Sequence, residues 1–274
     1  MKGTLRECIE IIASEIAEAA DRPRREAELM LMTILGRDQL WLITHQDAQV
    51  DCAGRLREWI ERRKAHEPLE YIFNCVSFYS QLFYIAPGAL IPRPETELLI
   101  DRVLERVDAD APVTLCEVGV GSGAVSVVLA QHLQRARIIG VDISDEALGV
   151  ASRNVEASGL QERIELRRSD LLENVPETID VLVSNPPYVA EDAQLERNLD
   201  YEPDLALFGG KEGMDVIERL MTLVAARHIP LFCCEMGFDQ RAAVAATVPG
   251  AYDIIFYKDL AGLDRGFVMQ RKKD

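Results

Sequence analysis

Long apolar runs are missing from this 274-residue sequence, since no stretch approaches the roughly 20 consecutive apolar residues that span a bilayer as a helix. The first residues, Met1-Lys2-Gly3-Thr4, run directly into Glu7 and Glu10. They lack the apolar segment and the small-residue cleavage site of a secretory signal. We therefore expect a protein that has no membrane-embedded part and works in the cytoplasm.

Cysteine and histidine are sparse, with six and four residues. Their positions show no metal-ligand spacing: Cys8, Cys52, Cys75, Cys116, Cys233 and Cys234, and His45, His66, His132 and His228. We expect the cysteines to be reduced and mostly buried, and we expect no metal site.

Basic residues are too few to balance the acidic ones, because 30 Lys and Arg stand against 46 Asp and Glu, for a formal net charge of -16. Nucleic-acid binding draws much of its affinity from Lys and Arg that neutralise phosphates. The charge therefore argues against direct binding to nucleic acid. For the oligomeric state we take a monomer as the default.

The first 70 residues predict a small helical bundle. Apolar residues from Thr4 to Ala20 recur at three- and four-residue steps, and a second such face runs from Pro23 to Gly36. Asp51 is the expected N-cap of a further helix, which Pro68 ends.

The rest of the chain predicts a sheet. Aromatic and β-branched residues alternate with polar ones from Tyr71 to Ile85, as in a hairpin. After Thr96, strand-like and helix-like segments alternate, which predicts a parallel sheet covered by helices. The last two strands have no helix between them and are expected to form an antiparallel hairpin at the sheet edge. We divide the chain into a helical bundle (1–70), a β-hairpin connector (71–90) and a larger domain (91–274).

A glycine-rich loop, Glu117-Val118-Gly119-Val120-Gly121-Ser122-Gly123, lies where the first strand of the larger domain turns into a helix. Closely spaced glycines there let the backbone approach a ligand without Cβ clashes, so the five residues from Gly119 to Gly123 are candidate cofactor-binding residues. The same spacing satisfies the loose dinucleotide pattern and also occurs in structural turns. The loop by itself leaves the cofactor open.

Two carboxylates stand at the ends of the next two strands, with Asp142 closing the second strand and Asp170 following the third. Asp142 stands 19 residues after Gly123, where a carboxylate can accept hydrogen bonds from both ribose hydroxyls of an adenosine. The alternative is that Asp142 caps the next helix, although Ser144 can do that instead. Asp170 is placed to reach an adenine edge with Leu171 packed beside it, and the alternative for this pair is a turn residue and a core leucine.

The tetrapeptide Asn185-Pro186-Pro187-Tyr188 follows a strand at its carboxyl end, where open α/β sheets bind ligands. Two prolines stop the strand, so carbonyls that would have joined a ladder are left free and rigidly aimed. The Asn185 side-chain oxygen and the Pro186 carbonyl can accept both N–H bonds of a planar nitrogen and favour the positive charge that develops during methyl transfer. Tyr188 can stack on the planar group. We predict that these four residues are catalytic and bind the substrate, with S-adenosylmethionine as the methyl donor.

The residues of such a site are compatible with more than one function. An adenine-N6 methyltransferase would present the exocyclic amine of a flipped base to the same tetrapeptide, but the net charge opposes this. A protein that only binds the cofactor is a further alternative. It would have to explain why the glycine loop, the carboxylate and the nitrogen-binding tetrapeptide occur together.

With these residues, the chain resembles the bacterial PrmC/HemK family of release factor glutamine methyltransferases over nearly its full length. The matching blocks are Arg24–Leu29, Leu90–Glu97, Gly119–Gly123, Asn185–Tyr188 and Lys258–Arg265. The block from Ile91 to Glu97 separates this family from the adenine methyltransferases.

The resemblance implies a class I Rossmann-like methyltransferase domain, with a mostly parallel seven-stranded sheet and an antiparallel edge hairpin, after the bundle and the connector. It implies that the substrate is the glutamine of the Gly-Gly-Gln motif in peptide chain release factors, methylated on its side-chain amide nitrogen (N5), with S-adenosylhomocysteine as the other product. A sister enzyme acting on a ribosomal-protein glutamine is the alternative within this group.

The resemblance also implies roles for individual residues. The bundle helps to grip the release factor, and the tetrapeptide binds the glutamine. The implied cofactor site contains Gly119–Gly123, Asp142, Leu171 and Asn185. Arg93 and Glu95 are expected to bind the substrate at the pocket mouth.

Two segments depart from the family pattern. Phe73-Asn74 stands where relatives commonly show Thr-Gly, and Arg227-His228-Ile229-Pro230 replaces a glycine turn before a strand. The first leaves the hairpin geometry open, and the second leaves the turn open.

Overall fold

The computed structural model describes residues 1–52, 54–195 and 197–273. The chain divides into two compact units, one of Met1–Cys75 with Glu196–Tyr201 and one of Val76–Leu195 with Glu202–Asp274. Within the described ranges, no helix is long and apolar enough to cross a membrane. The three-part division with borders at residues 70 and 90 stays a prediction.

The first unit is a helical bundle with a small two-stranded sheet. Its elements are β1 (Lys2–Thr4), α1 (Leu5–Glu15), α2 (Pro23–Leu35), α3 (Gln39–Thr44), β2 (Gln49–Asp51), α4 (Arg55–Lys64) and α5 (Leu69–Phe73). Thr4 and Glu7 form a capping box at the start of α1, in which each side chain accepts the other residue's backbone N–H. The apolar face predicted for α1 is fully buried in the core of this unit.

Asp51 does not cap a helix, so this prediction was wrong. It lies in β2, opposite Lys2 of the antiparallel partner β1, and its carboxylate is 3.1 Å from the Lys2 Nζ. Gly54 occupies the N-cap position of α4. Pairing with β1 holds residues 49–51 in an extended conformation, and no local pattern in this segment reveals a partner strand that lies 45 to 49 residues upstream.

Each of the two segments that depart from the family pattern contains one residue with a left-handed backbone conformation. Asn74 caps α5 with φ 53°, and His228 has φ 53° in the turn before a strand. Asparagine and histidine are among the residues that enter this region most readily after glycine. Both turns therefore form without the glycine.

The second unit begins with a hairpin and continues into one seven-stranded sheet. The hairpin is shorter than the predicted segment from Tyr71 to Ile85, because residues 71–73 belong to α5. The hairpin consists of β3 (Val76–Phe78) and β4 (Gln81–Phe83), which pair antiparallel. The large sheet contains β5 (Thr114–Val118), β6 (Arg137–Asp142), β7 (Ile164–Arg168), β8 (Val181–Ser184), β9 (Leu231–Glu235), β10 (Tyr252–Lys258) and β11 (Asp264–Arg271). The helices are α6 (Glu97–Leu104), α7 (Ala124–His132), α8 (Asp145–Ala157), α9 (Asp204–Leu207), α10 (Asp215–Ala226) and α11 (Arg241–Thr247).

The strand order in the large sheet is β10-β11-β9-β8-β5-β6-β7. The five neighbouring strands β9, β8, β5, β6 and β7 are parallel. The strand β11 pairs antiparallel with both β9 and β10. The predicted α/β fold with an antiparallel edge hairpin is confirmed. After β5 the chain builds outward through β6 and β7 and then returns to the other side of β5 with β8, which makes the β5–β8 edge the point where the strand order reverses. Ligands bind at such a point, outside the carboxyl ends of the strands.

Burial explains why the sequences of the central strands are continuous apolar runs. All residues of β8 and β9 are buried, as are four of the five residues in β5. Strands covered by helices on both faces lose the polar alternation of a half-exposed sheet. Polar side chains on these strands, such as Glu117 and Glu235, therefore stand out as buried groups that need partners.

Candidate active site

Three glycines in left-handed conformation build the loop after β5. Gly119, Gly121 and Gly123 have φ angles of 73°, 52° and 77°, a region that residues with a Cβ rarely enter. A Cβ on Gly119 or Gly121 would meet nothing closer than a carbonyl oxygen at 3.8 or 3.9 Å, whereas a Cβ on Gly123 would lie 3.1 Å from the Ala151 Cβ in α8. The first two glycines therefore leave open space beside the backbone, and the third lets α7 begin against α8.

Asp142 ends β6 and is tied to this loop. One carboxylate oxygen accepts the Gly121 N–H at 2.9 Å, and the other accepts the Ser144 N–H at 3.0 Å. Ser144, not Asp142, caps α8, since its hydroxyl accepts the Ala147 N–H. Burial raises the pKa of Asp142, and the backbone hydrogen bonds oppose this. A carboxylate oxygen has more than one acceptor site, so each oxygen keeps acceptor capacity.

Asp170 has a partner that the sequence did not suggest. Both of its carboxylate oxygens accept from the Arg219 guanidinium, at 3.0 and 2.9 Å. Leu171 beside it is buried and has φ 48°. A contact of Asp170 with an adenine would have to share the carboxylate with Arg219, and the adenine role stays a prediction.

The tetrapeptide begins where β8 ends. The Ser184 hydroxyl donates to the Val118 carbonyl at 2.8 Å and so joins the ends of β8 and β5. After the two prolines, the Tyr188 carbonyl accepts from the Gln240 amide at 2.9 Å. Gln240 also accepts the Gly237 N–H at 2.8 Å, so the tetrapeptide is held at both ends.

The polar side chains of the tetrapeptide contact two residues that are distant in the sequence. The Asn185 amide nitrogen donates to the Thr96 hydroxyl at 3.1 Å, and that hydroxyl donates to the Glu235 carboxylate at 2.8 Å. The Tyr188 hydroxyl donates to the other oxygen of Glu235 at 3.1 Å. Burial raises the pKa of Glu235 to about 7, and the two hydroxyl hydrogen bonds oppose this rise.

A cleft of about 350 Å³ opens at these strand ends, within the range of small-molecule sites. Ten residues predicted from the sequence line it: Gly119, Val120, Gly121, Ser122, Asp142, Asp170, Leu171, Asn185, Pro186 and Pro187. The structure therefore brings the loop, both carboxylates and most of the tetrapeptide to one place.

The other four predicted residues have different surroundings. Gly123 is the N-cap of α7, and Tyr188 bonds to Glu235. Arg93 forms a short ion pair with the buried Glu202, whose other oxygen accepts the Ile91 N–H at 3.0 Å. Glu95 is half-buried in the 3-10 turn Pro94–Thr96. The substrate-binding role of Arg93 and Glu95 stays a prediction.

Thr96, Glu117 and Glu235 are buried polar residues at this end of the sheet that the sequence did not single out. Thr96 stands inside the family block from Ile91 to Glu97, and Glu235 closes a buried strand, where it reads as a strand end. Glu117 opens the glycine loop and is buried, and the Ser126 hydroxyl donates to its carboxylate. A carboxylate within an apolar strand was the available signal for both acids, because such a group is rarely buried without a function or a partner.

The residues that line the cleft fit S-adenosylmethionine. The open backbone at Gly119 and Gly121 offers space that a Cβ would fill, Asp142 offers carboxylate oxygens to hydroxyl donors, and Leu171 offers an apolar wall. When bound, this cofactor supplies a methyl group that is already activated on a sulfonium.

Glu117 allows a test of the electrostatics at this end of the sheet. Burial raises the pKa of Glu117 from 4.5 to about 8. Between these values the folded protein holds a proton that the unfolded chain has released, so this group makes the free energy of unfolding fall as pH rises, by about 1.4 kcal/mol per pH unit. Urea unfolding measures the free energy of unfolding at each pH between 5 and 7.5. In Glu117→Gln we expect this free energy to lack the fall with rising pH that Glu117 contributes in the wild type.

Glu173→Gln, at an exposed carboxylate, is the matched control and should leave the slope unchanged. Glu235 titrates in both proteins and cancels from the comparison. Equal slopes for the wild type and Glu117→Gln would contradict a buried carboxyl with a raised pKa.

Solved methyltransferase structures share the fold. The catalytic domain of human METTL16 in complex with MAT2A 3'UTR hairpin 1 has a TM-score of 0.58 at 14% identity, over 70% of this chain and 75% of that one. The N-terminal domain of human METTL16 in complex with SAH has a TM-score of 0.50 at 15% identity, over 70% of this chain and 76% of that one. Residues 94–200 match the family described as Methyltransferase small domain. The protein is a class I methyltransferase that uses S-adenosylmethionine.

The whole chain is similar to bacterial proteins named release factor glutamine methyltransferase. The one from Koribacter versatilis is 39% identical over 90% of this chain and 92% of its own length. The one from Moorella thermoacetica is 37% identical over 99% of this chain and 100% of its own length. Residues 7–73 match the family described as PrmC N-terminal domain. The chain belongs to the release factor glutamine methyltransferase family, as the resemblance predicted.

Proposed function

We propose that this enzyme methylates the side-chain amide nitrogen (N5) of the glutamine in the Gly-Gly-Gln motif of peptide chain release factors. The names of its relatives support release factors as the substrate. The observation that carries the chemistry is the position of Asn185 and Pro186, which line the cleft beside the glycine loop while the Asn185 amide nitrogen is engaged by Thr96. The cytoplasm, where translation takes place, is the compartment that this substrate requires.

The chain's own residues must solve one chemical difficulty. An amide nitrogen is a poor nucleophile because its lone pair is delocalised into the carbonyl. The Asn185 Oδ1 and the Pro186 carbonyl accept the two N–H bonds of the glutamine, which orients the nitrogen and stabilises the positive charge that grows on it. The nitrogen gains the methyl group and gives up one proton to water, and S-adenosylhomocysteine is the other product. Tyr188 packs its ring on the planar amide while Glu235 holds its hydroxyl.

The proposed cofactor site uses the other lining residues. Asp142 accepts hydrogen bonds from the ribose hydroxyls, and the backbone of Gly119, Val120, Gly121, Ser122 and Gly123 cradles the rest of the molecule. Asp170 and Leu171 lie at the adenine, and Asn185 lies between cofactor and substrate. Holding both reactants in line is the main contribution of such a site.

Substrate recognition extends beyond the cleft in this proposal. The bundle of residues 1–70 helps to grip the release factor, and Arg93 and Glu95 contact it near the glutamine.

Transfer of labelled methyl from S-adenosylmethionine tests the proposal. The substrates are purified release factor, the same factor with the Gly-Gly-Gln glutamine changed to alanine, ribosomal protein and duplex DNA. We expect label on the intact factor alone. Label on the alanine variant would place the reaction elsewhere in the factor. Label on DNA or on ribosomal protein instead would support the adenine or the ribosomal alternative.

A further inference from the structure

Four polar side chains form one continuous hydrogen-bonded chain that begins in the wall of the cleft, where Asn185 and Thr96 lie. It runs from the Asn185 amide nitrogen to the Thr96 hydroxyl (3.1 Å), on to the Glu235 carboxylate (2.8 Å), and from there to the Tyr188 hydroxyl (3.1 Å). Thr96 and Glu235 are buried, with 3% and 1% of their surface exposed. Buried polar groups depend on their protein partners, so the direction of each bond in this chain matters.

The direction of the bonds follows from the number of hydrogens. An ionised carboxylate only accepts, so Thr96 and Tyr188 must both donate their hydroxyl hydrogens to Glu235. The Thr96 oxygen has then used its hydrogen and can only accept from Asn185. An amide can donate only through its nitrogen, so Nδ2 faces Thr96 and Oδ1 faces the other way.

We propose that Thr96 and Glu235 are positioning residues that fix the amide orientation of Asn185, so that its oxygen, and not its NH₂ group, meets the substrate nitrogen. This inference rests on the proposed function. The two ends of an asparagine amide have nearly the same shape, and packing alone distinguishes them poorly. A flipped Asn185 would bring a donor towards the N–H groups of the substrate and would lose the acceptor that holds them.

The carboxylate form of Glu235 is essential to this arrangement. A protonated Glu235 carries a donor on one oxygen, so either Thr96 or Tyr188 loses its acceptor and the chain no longer enforces one direction. Burial raises the pKa of Glu235 to about 7. Among the described residues, the polar and titratable groups that interact with Glu235 are Thr96, Tyr188, Glu95, Arg265, Cys234 and Tyr257. Arg265 favours the carboxylate, and Glu95 opposes it.

The first test compares two substitutions at Thr96. Thr96→Val keeps the shape and removes the hydroxyl, whereas Thr96→Ser keeps the hydroxyl. We expect kcat for methylation of release factor to fall about tenfold in Thr96→Val, the factor that the loss of one neutral hydrogen bond gives. We expect a smaller change in KM, unchanged affinity for S-adenosylmethionine, and recovery to within about twofold in Thr96→Ser.

Thr222→Val is the matched control, because Thr222 is exposed and its hydroxyl donates to the Glu218 carbonyl of its own helix. It should keep wild-type kcat. Wild-type kcat in Thr96→Val would overturn the inference, and so would equal losses in the valine and serine variants. Thermal unfolding of each variant shows whether it is folded.

Glu235→Gln supplies a second test that does not depend on Thr96. In the wild type, kcat should fall as pH decreases through about 7, because protonation of Glu235 removes an acceptor. Glutamine has no such titration, so this limb should be absent in Glu235→Gln, while kcat above pH 8 should lie below that of the wild type. An identical pH profile for both enzymes would overturn the role of Glu235.

A readout without substrate separates this inference from the proposed function. The Asn185 side-chain amide protons, assigned in an NMR spectrum by their loss in Asn185→Ala, should exchange faster with solvent in Thr96→Val than in the wild type and Thr96→Ser. Absence of label on release factor with wild-type enzyme would refute the proposed function. Unchanged amide exchange in Thr96→Val would refute the orientation by Thr96, whatever the substrate is.

Discussion

Replacement of Asn185 by alanine is expected to lower kcat by about 100- to 1000-fold, the cost of removing one preorganised group that stabilises transition-state charge. The side-chain oxygen is needed chiefly by the reacting nitrogen, so the loss should appear in kcat. Asn185 lines the cleft, but Asp142 and the glycine loop are untouched by the substitution. Affinity for S-adenosylmethionine, measured by calorimetry, should therefore change little.

Asn174→Ala is the control for this prediction. Its amide donates to the Arg168 carbonyl outside the cleft, so methylation of release factor should continue at the wild-type rate. Near-normal turnover of Asn185→Ala would remove Asn185 from the proposed chemistry. A large loss of cofactor affinity in the same variant would show that its main role is to bind the cofactor.

Asp142→Ala is expected to weaken S-adenosylmethionine binding roughly ten- to hundredfold. The proposed bonds from the ribose hydroxyls to this carboxylate are charge-assisted and together contribute about 1.5 to 3 kcal/mol. The substitution also removes the acceptor for the Gly121 and Ser144 N–H groups. Loss of the loop's position therefore adds to the effect.

Two further variants separate these contributions. Asp142→Asn keeps an acceptor but loses the charge, and it should bind the cofactor more tightly than Asp142→Ala and less tightly than the wild type. Asp145→Ala, at an exposed carboxylate next to the site, is the control and should leave the affinity unchanged. An unchanged dissociation constant in Asp142→Ala would refute the ribose assignment.

The sequence predicted those parts of the site that are local. The glycine loop and the tetrapeptide follow their strands directly, and Asp142 is the last residue of its strand. The strands themselves are visible in the sequence as short apolar runs between segments of helical period. Because parallel strands have their carboxyl ends at one edge, the order of elements along the chain was enough to bring these residues together. Ser144 was recognised as an alternative helix cap, and the structure confirms that it caps α8.

Short elements escaped prediction for a physical reason. The helix α6 has eight residues, and β1 and β2 have three each. A period cannot be read from so few positions, and tertiary partners decide such segments. Asp51 shows the result, because its pairing with Lys2 overrides a plausible capping role.

The sequence by itself determined the fold class, the family and the residues that end the strands, since these depend on local pattern and chain order. Only the tertiary structure decided which partners those residues have. Thr96 lies 89 residues from Asn185 and 139 from Glu235, and Arg219 lies 49 residues from Asp170. No pattern along the chain encodes such hydrogen bonds, because they require two side chains to meet in space. The orientation of the Asn185 amide is therefore a property of the folded protein.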